Sequence, residues 1–261
     1  MGQEGFAPGK QVGTTYIKPV GQGWKKVTYT VVDGLAVFEG CIVLGTVEEM
    51  KAVAAFIENN PGILHPNTQH LGVAIKGQQF RWKNRLVPYE IDPNLPDQAR
   101  VTDAIAHWEE KTPFRFVVRD PAKEEHRDYV AFVPGSVCSS AIGRRGGRQR
   151  VVLGPQCTKG NAIHEIGHAI GLWHEQSRAD RETFIEILWE NIDPDATHNF
   201  DQHVVDGVDL GDYDYGSVMH YPVHAFSKNN QDTIKPKKQT NATIGQRDGL
   251  SPLDIAAVNN L

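Results

Sequence analysis

The run His164-Glu165-Ile166-Gly167-His168-Ala169-Ile170-Gly171-Leu172-Trp173-His174 constrains this chain more than any other stretch. A spacing of four places His164 and His168 on one face of a helix with Glu165 beside them, so both imidazoles can reach one metal ion. Asn161 reads as the N-cap of that helix. A tetrahedral ion needs a further donor from a new direction. Gly171 can take the left-handed turn that ends a helix and lets His174 swing back to the same point. Three neutral imidazoles and an open fourth position describe catalytic rather than structural zinc, at which the pKa of water falls to about 7. Glu165 is then the general base. With 11 His and 25 Gly in 261 residues, His-Glu-x-x-His arises by chance in roughly 0.03 of such sequences, and requiring Gly171 and His174 lowers that to roughly 1 in 10,000.

The rest of the chain is organised around this run. Met1 to about Val20 is rich in Gly and Pro and reads as a loose arm. Val27–Val32 and Leu35–Phe38 read as strands. Thr46 and Glu49 form a capping box for a helix whose face carries Met50, Val53, Ala54 and Ile57 and which stops at Asn59-Asn60-Pro61-Gly62. One helix and few strands cannot bury a core alone, so this part must lean on the residues C-terminal to it. Beyond it, Leu86–Ile91, Phe114–Val118, Tyr129–Val133 and Val151–Leu153 read as strands. A helix is expected from about Asp97 to Lys111, with Val101, Ile105 and Trp108 inward, and another from Ser251-Pro252 toward Leu261. Strands mixed with helices argue for an α/β or α+β sheet layer.

Composition excludes several function classes. The net charge of −5 offers no global basic field for nucleic acid or anionic lipid, and no apolar run is long enough to span a membrane. Protein or small-molecule partners are expected instead. The first thirty residues lack the basic start and apolar core of a signal peptide. Arg144-Arg145-Gly146-Gly147-Arg148-Gln149-Arg150 reads as an exposed hairpin tip, because no stacking aromatics interleave it. Residues 180–215 hold eleven acids and one base, Arg181. That bias is either a solvated acidic loop or a binding region for cationic substrates or a cation.

After His174 the sequence continues Glu175-Gln176-Ser177-Arg178-Ala179-Asp180-Arg181, and Ser217-Val218-Met219-His220-Tyr221 comes later. Together these resemble the astacin family of metzincin metallopeptidases, with its signature HExxHxxGxxHExxRxDR and a methionine turn of the SxMHY type. Every fixed position is present. The resemblance runs from about Val73 to Leu261 and includes Arg81-Trp82 and Val87-Pro88-Tyr89. It implies a zincin with a twisted mixed sheet, an active-site helix and a largely irregular C-terminal subdomain, preceded by a propeptide. It also implies a zinc endopeptidase acting on protein or peptide substrates, with no nucleic acid partner and a monomeric state. His164, His168 and His174 are the implied zinc ligands and Glu165 the general acid/base. Met219 is the implied apolar floor beneath the metal. Tyr221 resembles the family's switching tyrosine, a zinc ligand in the resting mature enzyme and an oxyanion donor in turnover; the plainer alternative is a core tyrosine after a turn. Glu175 is implied to meet the mature amino terminus. Pro236 resembles the segment lining the primed-side pocket, and equally a simple turn residue.

The resemblance also bears on the three cysteines. Similar bacterial-type members carry cysteines near Cys138 and Cys157, which implies a bridge closing about 20 residues and worth roughly 3 kcal/mol. Pro113 stands where a second bridge would need a cysteine. A disulfide implies an oxidising, secreted setting by an export route not visible in the sequence. Cys41, in Phe38-Glu39-Gly40-Cys41, stands where family propeptides carry the aspartate of a Phe-x-Gly-Asp motif that ligates zinc in the zymogen. Zinc binds a thiolate at least as well, so Cys41 is expected to be the zymogen ligand in a propeptide of residues 1–72 that inhibits its own chain. The alternative is a small buried apolar residue. Maturation is expected between His70 and Ala74. The rival functions are a catalytically silent zinc-stabilised binding protein and an adhesive module acting through the acidic stretch.

Overall fold

Runs of buried apolar residues at two-residue and continuous spacing build one large sheet. In the computed structural model, which describes residues 11–18, 23–60, 77–203, 207 and 209–261, nine strands form it. They are β1 (Val12–Ile17), β2 (Lys25–Val32), β3 (Leu35–Phe38), β4 (Ile42–Thr46), β5 (Leu86–Ile91), β6 (Arg115–Val118), β7 (Tyr129–Pro134), β8 (Cys138–Ser140) and β9 (Arg148–Leu153). Their order across the sheet is β1-β2-β3-β4-β8-β9-β7-β5-β6. The first four form an antiparallel meander, and β9, β7, β5 and β6 run parallel, so the sheet is mixed. β7 is buried from Tyr129 to Val133, as befits a strand between two parallel neighbours. The join is made by β4, which pairs in parallel with β8 through Ile42 and Ser140.

Among the described residues four α-helices complete the layers: α1 (Val47–Glu58), α2 (Ala99–Lys111), α3 (Lys159–Ile170) and α4 (Pro252–Asn259). α1 carries the expected capping box from Thr46 and Glu49, and Ile57 is its buried residue. α2 turns Val101, Ile105 and Trp108 into the core. Two tryptophans pin α3 from outside it: the indole of Trp82 donates to Ala169 O at 2.9 Å and that of Trp108 to Ile163 O at 3.1 Å. From Gly171 to Ser251 regular structure is sparse, with short turns and a two-stranded sheet of β10 (Ile185–Ile187) and β11 (Ile234–Pro236).

Three expectations are corrected. Val12–Ile17 is an edge strand rather than part of a loose arm. Gly13 lies in it because a Cβ there would meet the Tyr29 ring at 2.4 Å, and Thr15 Oγ1 donates to Met50 O at 2.8 Å. Met1–Lys10 lie outside the described residues. The N-cap of α3 is Thr158, with Asn161 at the third helical position completing the box, since both side chains satisfy amides at the helix start. Finally, Arg144 does not sit on an exposed tip. Its guanidinium turns inward to pair with Asp128 and donates to Arg81 O at 2.9 Å and Gln79 O at 2.8 Å.

The amino-terminal meander does lean on the rest. Phe38 and Ile42 are fully buried with Ile142 and Trp173, and Phe38 meets the Trp173 ring edge-on at 6.4 Å. Cys138 and Cys157 are bridged, their Cα atoms 5.8 Å apart and 19 positions apart in sequence. Replacing both with serine is expected to lower the unfolding free energy of the full chain by roughly 3 kcal/mol, through the freed unfolded loop. Urea titration of the double variant checks this; a midpoint equal to that of the parent contradicts it.

Candidate metal centre and active site

The capping box starts α3, and every residue from Gly160 to Ile170 is buried. The helix stops at Gly171, whose φ of 122° suits glycine and whose N–H donates to Gly167 O and His168 O. That turn brings His174 back, and the rings of His164, His168 and His174 lie 4.7 to 5.3 Å apart.

Each ring is oriented through Nδ1. His164 donates from Nδ1 to Val218 O at 2.8 Å, His168 to Leu172 O at 2.7 Å, and His174 to Glu39 Oε2 at 2.8 Å. These bonds fix the tautomers and leave three Nε2 lone pairs for a metal. Cys41 Sγ lies 3.6, 3.3 and 3.2 Å from the Nε2 atoms of His164, His168 and His174. Donors sharing one tetrahedral zinc, with bonds of about 2.1 Å to nitrogen and 2.3 Å to sulfur, sit about 3.5 Å apart. The four groups are buried and their donor atoms lie within 4.8 Å of one another, so this set of three nitrogens and one sulfur fits zinc in chemistry and spacing.

Electrostatics agrees. Burial holds the three imidazoles below their usual range, His168 at about 4, so each stays neutral and able to donate its lone pair. Among protein groups alone, burial pushes the Cys41 thiol well up, with Glu165 adding to the shift and Arg247 opposing it. The charge of a divalent ion reverses that preference and ionises the thiol. Glu165 is 2% exposed, and its Oε2 has no hydrogen-bond partner among the described residues. Burial raises its carboxyl well above the usual range, against the pull of Arg247.

The surrounding residues divide into those that reach the centre and those that frame it. Met219 packs under α3 at Gly167, where a Cβ would meet its Sδ at 2.6 Å. Its turn is tied down by Asp254, which accepts from Ser217 Oγ at 2.6 Å and Val218 N at 2.9 Å. Tyr221 is fully buried with its ring 4.5 Å from that of His174, and its hydroxyl donates to Glu39 O at 2.7 Å. Glu175 accepts from Asp214 N at 2.8 Å and pairs with Arg178; burial pushes its carboxyl up to about 8. Its expected amino-terminal partner, like the maturation boundary near Gly72 and Val73, lies outside the described residues. Pro236 closes β11 opposite Ile185, on the two-stranded sheet; its strand neighbour Ile234 shares a buried cluster with Cys41 and Tyr221.

Part of the acidic bias of residues 180–215 is internal. Arg178 is gripped by Asp180 through two bonds of 2.8 Å and lies 3.8 Å from Asp209, so these acids serve a scaffold. Sequence reasoning missed Glu39, Ser177 and His203, which meet beside the centre. Glu39 is separated from the other two by 138 and 164 positions, and no local spacing announces such a contact.

Several known proteins are similar to this chain. The profile of the astacin peptidase family matches residues 74–261. The zinc metalloproteinase nas-4 of Caenorhabditis elegans is 37% identical over 193 residues, covering 72% of this chain and 61% of that protein. The zinc metalloproteinase nas-13 of the same organism is 41% identical over 193 residues, covering 72% and 42%. This chain therefore spans about two-fifths to three-fifths of the length of these curated relatives. Among solved structures, high choriolytic enzyme 1, a hatching enzyme zinc-protease from Oryzias latipes, superposes with a TM-score of 0.65 at 35% identity, over 71% of this chain and 96% of that one.

Proposed function

The chain belongs to the astacin family of peptidases, and from that premise we propose that it is a zinc-dependent endopeptidase acting on protein or peptide substrates, present here as a latent proenzyme. The observation that carries this reading is the convergence of three oriented imidazole Nε2 atoms and one thiol on a single buried point.

His164, His168 and His174 would hold the ion, which would supply a Lewis acid for the scissile carbonyl and for water. Glu165, next in the chain to the ligand His164, would take the proton from the attacking water and pass it to the leaving amine. Tyr221 donates its hydroxyl to the oxyanion once it is released from Glu39 O. Met219 and the Asp254-anchored turn hold the floor beneath α3.

Residues 1–72 act as the intramolecular inhibitor and residues 73–261 as the catalytic domain. Support for the boundary is the family match beginning at residue 74. Support for inhibition is the seating of the segment: Ser140 N donates to Cys41 O at 2.9 Å, so the chain around Cys41 lies along β8, where an extended substrate would pair. Cys41 is the zymogen ligand, and Tyr221 becomes available to the metal after processing. The buried disulfide fits a secreted protein matured in an oxidising compartment, and no helix among the described residues is long and apolar enough to cross a membrane. A monomer satisfies this arrangement, since all four donors come from one chain.

The test is a casein-degradation assay on processed protein with and without a chelator. Turnover is expected only after processing. It should be lost on chelation and restored by stoichiometric zinc. Chelator-resistant turnover, or none from zinc-loaded processed protein, contradicts the reading.

A further inference from the structure

Glu39 lies two residues before Cys41 and its side chain is fully buried. Three groups from the far half of the chain donate to its carboxylate: His174 Nδ1 at 2.8 Å, His203 Nε2 at 2.5 Å and Ser177 Oγ at 3.2 Å. A carboxylate this deep is costly unless each oxygen is satisfied, and here both are. The opposite wall is closely packed. His203 stacks on Trp173 at 3.8 Å and meets Phe38 edge-on at 5.8 Å, and its backbone N–H donates to Ser177 O at 2.7 Å. The backbone at Glu39 is left-handed, with φ 44°, and Gly40 follows at φ 69°, so the chain bends to deliver the carboxylate on one side and the thiol on the other.

The three histidines differ in what orients them. His164 and His168 are held by backbone carbonyls of the region after residue 73, Val218 and Leu172, whereas His174 is held by a side chain of the amino-terminal segment. A carboxylate behind an imidazole fixes its tautomer and raises its basicity more than a carbonyl does.

We propose that Glu39 is a positioning residue for the metal, a carboxylate lent in cis to His174, so that the segment which closes the site also tightens its hold on the ion. The proposal rests on the reading of residues 1–72 as an intramolecular inhibitor. Loss of the segment then loosens the grip on zinc in two steps, by withdrawing the Cys41 thiolate and by withdrawing the partner of His174.

The full, unprocessed chain provides the test through two readouts that do not depend on activity. One is the rate at which zinc passes to a chromogenic chelator. The other is the sulfur-to-metal charge-transfer band of the cobalt-substituted protein, which reports whether Cys41 is still seated. Glu39→Gln is expected to release zinc about 10- to 100-fold faster with the band retained. Release at the parent rate overturns the proposal. So does faster release with the band lost, because Glu39 then merely anchors the segment. If Glu39→Gln does not fold, Glu39→Asp decides by the same readouts: its shorter carboxylate keeps the charge but draws back from His174, and a parent rate overturns the proposal. Absence of the band in the unsubstituted chain would instead show that Cys41 does not hold the ion; the segment is then not seated on the metal as this proposal requires, and the proposal falls, whereas the inhibitor reading fails only if the intact chain is as active as the processed one.

Discussion

Glu165→Gln in the processed protein is expected to lower kcat/KM on casein by about 10³-fold or more while leaving the zinc content unchanged. Glutamine matches glutamate in volume, so the packing of α3 around this residue is kept, and the four-donor cluster that would hold the ion does not include position 165. What is lost is a site for a proton. A carboxylate at this position can accept a proton from water and return it to a poor leaving group; a carboxamide can do neither. Turnover, zinc content and thermal unfolding measured on the same preparation separate the outcomes. Parental turnover would mean that another group is the base. Lost zinc would mean that position 165 supports the ligands.

The centre was legible because its information is local. The spacing of His164 and His168, the glycine at 171 and the return of His174 each follow from helix geometry within eleven residues, and the structure places all three rings together. The strands at Leu35–Phe38 and Leu86–Ile91 were legible for the same reason, since their apolar residues are consecutive or alternating. What escaped is non-local. β1 is short, polar on much of its length and flanked by Gly and Pro, and it becomes a strand only because β2 supplies its ladder partners. β4 acquires its place from a parallel pairing with β8, nearly a hundred residues on. The helix start was misassigned by three positions because threonine and asparagine both cap well. The two share the box, and which one has non-helical backbone is settled by the chain arriving from Cys157. Glu39 lay inside a motif whose second position is variable, so its identity carried no signal. Its importance comes from His174, Ser177 and His203, gathered from more than a hundred residues away.

Cys41→Ser in the intact chain should have the second largest effect: basal peptidase activity is expected to rise about tenfold or more over the unprocessed parent yet stay well below that of processed protein. The thiol is 1% exposed and lies within 3.6 Å of all three Nε2 atoms, so on the proposed reading it closes, in the parent, the position a substrate carbonyl or water must enter. Serine is smaller, and its hydroxyl is a far weaker zinc ligand than a thiolate, so the segment loses its bond to the ion. A tenfold gain corresponds to about 1.4 kcal/mol of lost affinity between segment and site, a modest share of what a metal–thiolate bond contributes. Full activation is not expected, because the Ile42–Ser140 pairing, the Glu39 carboxylate and the bond from Tyr221 to Glu39 O all remain. Activity of intact and processed forms, assayed side by side with and without chelator, decides the matter. An intact Cys41→Ser chain as silent as the parent, alongside an active processed form, would show that latency resides in the seating of the segment and not in its sulfur. An intact variant as active as the processed form would show the reverse, with the sulfur alone holding the site closed.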